Sequence, residues 1–384
     1  MRVIVIPYSS SSDSRLFCPH IKTHMSAPPP PLVNVSKHGA TVSGLVNVGN
    51  TCYINSVLQV LAHTLPLSVF LSRPDTEHKY RRDHRPFNFN ILEEWHDLLQ
   101  IMKGGSRTVR PSRMVNAIRI LAVRANSELR HEGHPHDVSE LIGFLIDEFH
   151  ASVSRKQAYA PPSIVSPSPA ERAVHEATVK LHAETGYSEL LDIFYSTIVH
   201  TSTKSDRPDK VSGVGVEFVS TIFLSIPPEQ TFVTLCDCID RYVAPEVIEG
   251  VQSDVDEGAL VECRKTTGFW ALPHVLVFCL VRANTSHTNL SKNQTKIQFP
   301  DVLDMTKHVV SPLRPQDPRS RYRMYGMCNH HGTIRGGHYT ATVCTKTGEW
   351  WDINDTMPRS IGGVAPQSQA AYCVMYVRDE KGAR

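Results

Sequence analysis

Two segments of the chain carry residue types at spacings that can do covalent chemistry. The first is Gly44-Leu45-Val46-Asn47-Val48-Gly49-Asn50-Thr51-Cys52-Tyr53-Ile54-Asn55-Ser56, in which a glycine-bounded turn delivers a cysteine to the start of an apolar-periodic stretch. Ile54, Val57, Leu58 and Leu61 recur at helical spacing, so a helix is expected after Cys52. A helix N-terminus carries partial positive charge and favours a thiolate over a thiol. Free backbone N–H groups at such a turn, with a side-chain amide nearby, can stabilise an oxyanion, and Asn47, five residues before Cys52, can supply that amide. From this segment alone a second reading stays open, in which Cys52 is a small buried hydrophobe.

A thiolate nucleophile needs an imidazole partner, usually distant in sequence. Of the twenty histidines, His338 has the most suggestive setting, Arg335-Gly336-Gly337-His338-Tyr339-Thr340-Ala341. Gly336 and Gly337 are expected to form a loop that can move or admit another backbone. His338 would then sit at the mouth of a strand, a rigid element able to aim it. A third polar group must hold the ring. The run Trp350-Trp351-Asp352-Ile353-Asn354-Asp355 offers Asn354 and Asp355 for that task. Taken by itself, a histidine beside Gly-Gly is an ordinary loop residue; the pairing with Cys52 is what gives it a role.

The elements that must position these residues follow from the apolar periodicity. Leu92, Trp95, Leu99 and Met102 mark a second amphipathic helix, and Val115, Ile118 and Ala122 a third with Ser112 as its N-cap. Asp137-Val138-Ser139-Glu140 has the Asp-x-x-Glu form of a capping box, continued on one face by Leu141, Ile142, Leu145, Ile146 and Phe149. After a Pro/Ser/Ala stretch at 158–170, read as a linker or exposed loop, the period changes. Phe218 to Ile226 alternates as one strand, and Val275 to Val281 reads as a buried strand. Further strands are expected over Tyr322–Cys328, His338–Cys344, Trp350–Ile353 and Tyr372–Val377. Helices first and strands later point to an α+β fold. Residues 1–40, with a serine run, a proline run and no sustained period, read as a flexible leader. The remainder, 41–384, is expected to be one domain.

Composition narrows the class. The 384 residues are 41% hydrophobic and 20% charged, too apolar and too balanced for a disordered chain. A formal net charge of +2 argues against a dedicated nucleic-acid binder. Nine scattered cysteines, an odd number, argue against a secreted disulfide framework and for a reducing, intracellular setting, cytoplasmic or nuclear. No apolar run reaches the length of a membrane span, and the run Val3-Ile4-Val5-Ile6 is too short for a signal-peptide core.

Together the two segments resemble the catalytic boxes of the ubiquitin-specific proteases, a family of papain-like cysteine deubiquitinases. The first box matches at Gly44, Leu45, Asn47, Gly49, Asn50, Thr51, Cys52, Tyr53, Asn55, Ser56 and Gln59. The second matches at Tyr322, Tyr325, Asn329, His330 and Gly332, then through Gly336-Gly337-His338-Tyr339-Thr340-Ala341 to Trp351, Asn354, Asp355 and Ala371–Tyr376. Weaker matches lie at Asp137–His150, Cys238–Tyr242 and Leu272–Arg282, so the resemblance covers roughly residues 44–380. It implies a papain-like fold with a helical thumb (about 44–185) that carries the cysteine, then a β-rich palm that carries the histidine and shortened fingers (about 186–384).

The resemblance also implies chemistry. Cys52 is the nucleophile, His338 the acid–base partner, Asn354 the third member with Asp355 as neighbouring polar support, and Asn47 the oxyanion-hole amide. The substrate is ubiquitin, whose terminal Gly-Gly threads between thumb and palm past Asp137, Gly336, Gly337 and Tyr339. Ubiquitin and ubiquitinated proteins are the expected partners, with no nucleic acid, no membrane, no cofactor and a monomeric chain. The Cys-x-x-Cys pairs that hold zinc in most family fingers are missing here, leaving His200 and Cys263 as the only remnants, so no metal is expected. The palm strand ends Val281-Arg282-Ala283 without the usual Phe, and His134-Pro135-His136 stands where glutamines are common. Two other readings remain: a deconjugase for another modifier ending in Gly-Gly, and a ubiquitin-binding scaffold of weak or no activity.

Overall fold

A computed structural model describes residues 3–6, 42–80, 89–130, 136–156, 167–227, 232–285, 290–311, 320–333 and 336–379. Helices dominate its first half and strands its second, the α+β division expected from periodicity.

The helix Cys52–Ala62 is the hub of the helical part. Every residue from Cys52 to Leu61 is buried, so this helix is enclosed on all sides instead of showing one apolar stripe. It packs against the helix Val138–Val153 and the strand Gly336–Cys344. Around it lie Leu65–Leu71, Ile91–Lys103, Ser112–Arg124 and Glu189–Phe194. Trp95 and Phe149, both fully buried, stack with ring centroids 6.5 Å apart and join two of these helices.

Caps set the helix starts. Asn90 accepts from the N–H groups of Leu92 and Glu93. Asp137 caps Val138–Val153 as expected, accepting from Ser139 N at 2.7 Å. Its reciprocal partner departs from the expected box: Glu140 accepts from Ser127 Oγ at 3.1 Å instead of turning back to the cap. Ser112 is the first helical residue and Pro111 holds the cap position, one place earlier than expected. The Pro/Ser/Ala stretch hid a helix start. Residues 157–166 lie outside those described, but Pro169–Thr185 is a helix begun by Ser168 and Glu171 in a complete capping box.

The strands form two main sheets. The palm sheet runs Met357–Gly362, Trp350–Asn354, Gly336–Cys344, Arg321–Thr333, Ala371–Arg378, Val275–Val281, Ile222–Ser225, with Val302–Asp304 paired to Arg321–Thr333. Val275 to Leu280 are buried on both faces, as the continuous apolar run required. Three cysteines line up across its centre, with Cys279 opposite Cys373 and Cys373 opposite Cys328. The second sheet, the fingers, runs Val3–Ile6, Val211–Val219, Ser196–Lys204, Leu260–Ala271, Glu246–Gln252.

Two expectations change here. The alternating stretch Phe218–Ile226 is not one strand. It breaks at Ser220-Thr221, so that Val211–Val219 belongs to the fingers and Ile222–Ser225 runs parallel to Val275–Val281 in the palm. Within the expected leader, Val3–Ile6 pairs antiparallel with Val211–Val219 as an outer strand. The other leader residues lie outside those described.

Candidate active site

The turn before Cys52 is built by its own side chains. Asn47 Oδ1 accepts from Gly49 N at 3.2 Å and Thr51 N at 3.0 Å, and Thr51 Oγ1 accepts from Val48 N at 2.9 Å. Gly49 and Asn50 both take positive φ, 104° and 51°, a conformation that glycine and asparagine tolerate. The turn places Cys52 at the first residue of its helix, only 5% exposed. Burial pushes the thiol up and the Asp355 carboxylate adds to that, while the N–H groups of Tyr339, Tyr53 and Cys52 itself pull the other way; burial prevails. Burial thus opposes the preference for a thiolate expected from the helix N-terminus.

His338 is the third residue of the strand Gly336–Cys344. Gly336 and Gly337 are not a loop: they pair with Thr333 and Gly332 on the neighbouring strand. Gly337 is required for a packing reason, since a Cβ there would run into His331 O and the His330 ring. The His338 ring is held at Nε2, 2.8 Å from Asn354 Oδ1, the last residue of the adjacent strand Trp350–Asn354. An amide oxygen accepts, so Nε2 carries the proton and Nδ1 keeps its lone pair. Cys52 Sγ and the His338 ring share no hydrogen bond; the group on that strand facing the sulfur is the Tyr339 N–H.

Asp355 acts elsewhere than expected. Its carboxylate does not support the imidazole. Oδ2 accepts from Asn47 Nδ2 at 3.0 Å, Oδ1 from Asn55 Nδ2 at 2.8 Å, and its backbone O from Leu45 N at 2.8 Å. Asp355 itself is left-handed, φ 50°. The residue after Asn354 thus grips the whole cysteine segment, and Gly44 lets it approach: a Cβ there would stand 2.5 Å from Thr356 C. Asn55 was missed as a partner in this clamp, although its place three residues after Cys52 puts it one helical turn along. Asn47 thus commits one of its two amide hydrogens to Asp355.

Beside this assembly lies a cleft of about 240 Å³ between the helical part and the palm. Its walls include Asp137 on one side and Arg282, Lys292, Gly337, Tyr339 and Tyr372 on the other. Gly336 lines it too. Asp137 therefore does two jobs, capping its helix with Oδ1 and accepting from Tyr372 OH at 2.9 Å with Oδ2. Arg282, 1% exposed, donates from Nε to Ala371 O at 2.8 Å and from Nη1 to Asn293 O and Thr295 O. Lys292 donates to His330 O at 2.6 Å. Burial, with Lys292 alongside, pushes the His330 imidazole down to about 4, so it stands neutral in the wall. Burial pushes the Tyr339 and Tyr372 phenols well up. Arg282, Lys292 and Tyr372 were not foreseen as cleft residues; an arginine closing an apolar strand was the one local signal.

In the fingers, His200 and Cys263 do not converge. His200 Nδ1 meets Thr267 Oγ1 at 2.9 Å and Nε2 stands 3.3 Å from Glu217, while Cys263 lies opposite Lys204, further along the sheet. Among the described residues no group of three or more His, Cys, Asp or Glu side chains is disposed to hold a metal ion.

A family model described as ubiquitin carboxyl-terminal hydrolase matches residues 43–376, which take in Cys52, His338, Asn354 and the cleft residues. Among similar proteins, ubiquitin carboxyl-terminal hydrolase 21 of Rattus norvegicus is 28% identical over 87% of this chain and 61% of its own length. Ubiquitin carboxyl-terminal hydrolase 2 of Homo sapiens is 28% identical over 89% of this chain and 56% of its own. The chain thus spans a little over half the length of these relatives. Among solved structures, the SAGA DUB module Ubp8/Sgf11/Sus1/Sgf73 bound to monoubiquitin aligns with TM-score 0.69 at 20% identity, over 91% of this chain and 72% of that one. The same module bound to ubiquitin aldehyde aligns with TM-score 0.68 at 19% identity and the same coverages. The papain-like α+β fold is therefore shared, and the chain belongs to the ubiquitin carboxyl-terminal hydrolase family.

Proposed function

We propose that this chain is a cysteine-type ubiquitinyl hydrolase that cuts the bond after the C-terminal Gly-Gly of ubiquitin through a Cys52–His338–Asn354 triad. The observation that carries the reading is the 2.8 Å bond from His338 Nε2 to Asn354 Oδ1, which leaves Nδ1 as the base on the strand whose next N–H faces Cys52 Sγ. Substrate binding brings sulfur and ring together, since catalytic hydrogen bonds are often long before the Michaelis complex forms. His338 takes the thiol proton as Sγ attacks the carbonyl carbon of the terminal glycine. Asn47 Nδ2 and backbone N–H groups at the start of the helix receive the oxyanion. Collapse of the adduct expels the lysine amine, protonated by His338, and leaves a thioester. Water, deprotonated by His338, then releases the glycine carboxylate and the thiol. The thumb–palm cleft takes the extended tail, with Asp137, Gly336, Gly337 and Tyr339 along it. Free thiol chemistry of this kind fits a reducing, intracellular compartment.

A second reading draws on the cleft walls, where, among the described residues, Arg282 and Lys292 face the carboxylate of Asp137. A modifier that ends in Gly-Gly but has a less basic tail than ubiquitin suits that balance. One experiment addresses both. Ubiquitin carrying a C-terminal electrophile is expected to form a covalent adduct with the wild-type chain and none with Cys52→Ala. No adduct with any Gly-Gly probe would overturn the enzymatic reading; an adduct only with another modifier would move the substrate.

A further inference from the structure

In the palm sheet His338 lies directly opposite His331 on the neighbouring antiparallel strand Arg321–Thr333. Residues so paired project from the same face, with Cβ atoms about 4.5–5.5 Å apart. The sheet order sets Asn354 and His331 on opposite flanks of His338, because Trp350–Asn354 borders its strand on one side and Arg321–Thr333 on the other. Asn354 occupies Nε2 and leaves Nδ1 with a free lone pair. His331 is exposed, and among the described residues its ring's one hydrogen bond, Nε2 with Thr340 Oγ1, is long at 3.4 Å. His338 is half-buried. Two solvent-reachable imidazoles on one face, each with a nitrogen little engaged, are the elements of a bidentate chelate.

We propose that His331 and His338 form a reversible site for a divalent transition-metal ion of imidazole preference, such as Zn²⁺ or Ni²⁺. For Zn²⁺, metal–nitrogen bonds of about 2.0–2.1 Å in a tetrahedral shell place the two nitrogens roughly 3.3 Å apart, well within what side chains on Cβ atoms about 5 Å apart can reach. Water completes the shell. No bond within the protein is made or broken; the ion takes the Nδ1 lone pair of His338. The inhibitory consequence rests on the proposed function above: that lone pair is the one His338 would use to take the Cys52 proton, so metal binding switches the enzyme off and a chelator restores it.

The test has two arms so that its failure can be told from failure of the catalytic reading. In the first, Ni²⁺ is titrated calorimetrically into full-length Cys52→Ala protein, with and without His331→Gln. Loss of one imidazole is expected to weaken the tightest site at least about tenfold, on the scale by which joining two modules multiplies affinity. This arm needs no activity. In the second, hydrolysis of a fluorogenic ubiquitin substrate is followed against Zn²⁺, each protein being referred to its own metal-free rate. The inhibition curve of His331→Gln is expected to move to at least about tenfold higher Zn²⁺. Circular dichroism confirms that the variant is folded, and His331→Asn serves if it is not. Equal Ni²⁺ affinity with and without His331 would overturn the site. Unequal affinity with coincident Zn²⁺ inhibition curves would overturn the regulatory role.

Discussion

Replacing Asp355 tests whether the cysteine segment is held in place by the palm. Its carboxylate receives the amides of Asn47 and Asn55 at 3.0 and 2.8 Å. A hydrogen bond to a charged group contributes about 1.5–3 kcal/mol when sheltered; the Asn55 bond is sheltered and the Asn47 bond is exposed, so only the first is counted. Alanine at φ 50° adds a backbone cost of about 1–2 kcal/mol, which asparagine avoids. Asp355→Ala is therefore expected to lose about 2.5–5 kcal/mol of stability in urea unfolding, and Asp355→Asn clearly less. Catalysis should separate from stability. Alanine removes both acceptors; asparagine keeps one oxygen, which serves the sheltered Asn55 amide, and turns its NH2 on Asn47. Both variants therefore release Asn47 Nδ2 from its anchor, and losing one oxyanion donor costs about 10²–10³ in kcat. With a fluorogenic ubiquitin substrate, Asp355→Asn is expected to lower kcat by about 10² with KM changed only a few-fold, and adding Asn47→Ala should cost little more, because the two residues act as one unit. If Asp355→Asn retains kcat within about twofold of wild type, or if the two losses multiply, the clamp has no part in oxyanion stabilisation.

Other outcomes follow from the same geometry. Asn354→Ala frees the His338 ring and is expected to lower kcat by about 10²–10⁴ with little effect on KM, the size of a general acid–base contribution; a wild-type pH–rate profile in the variant would refute the triad. Because burial raises the Cys52 thiol, its alkylation by iodoacetamide in the ligand-free protein should keep rising above about pH 8.5, the ordinary thiol value; a plateau at neutral pH would mean a preformed thiolate. Burial pushes His150, with His182 beside it, and His330 down to about 4, so the unfolded chain binds more protons than the native one below about pH 6.5, and stability should fall as pH drops through that window. The slope of the urea midpoint against pH should flatten in His150→Gln, and an unchanged slope would refute the assignment. Gly44→Ala drives a Cβ into the Thr356 backbone and should reduce activity without abolishing the fold; full activity would show that the close approach is dispensable.

What the sequence made legible was local. The helix after Cys52, the Asp137 cap and the strand Val275–Val281 each depend on residues within a turn or two of one another, and each stands where periodicity put it. The pairing of His338 with Asn354 was also within reach, since only a hairpin separates them. Long-range closure was not. Nothing near Asp355 in the chain shows that its carboxylate meets Asn47 and Asn55, some 300 residues earlier. Gly336-Gly337 has loop composition, yet both residues are paired in the strand, and at Gly337 the His330 ring fills the space a side chain would need. The alternation from Phe218 to Ile226 reports which face is buried, not which sheet owns each half. The helix Pro169–Thr185 buries only Ala173 and Ala177, so it has no stripe of large apolar residues to announce it; Ser168 and Glu171 were its signature.

The three cysteines that cross the palm sheet turn it into its own reporter. Cys279, Cys328 and Cys373 are almost wholly shielded, and burial holds the Cys328 thiol up to about 12. An alkylating reagent can reach these sulfurs only when neighbouring strands part. Their labelling rate therefore clocks the opening of the sheet that carries His338, separately from anything that happens at Cys52. Cys373 directly follows Tyr372 in the cleft wall, so a tail seated in the cleft should slow that clock, and occupancy could be followed by mass spectrometry in a chain whose nucleophile has been removed.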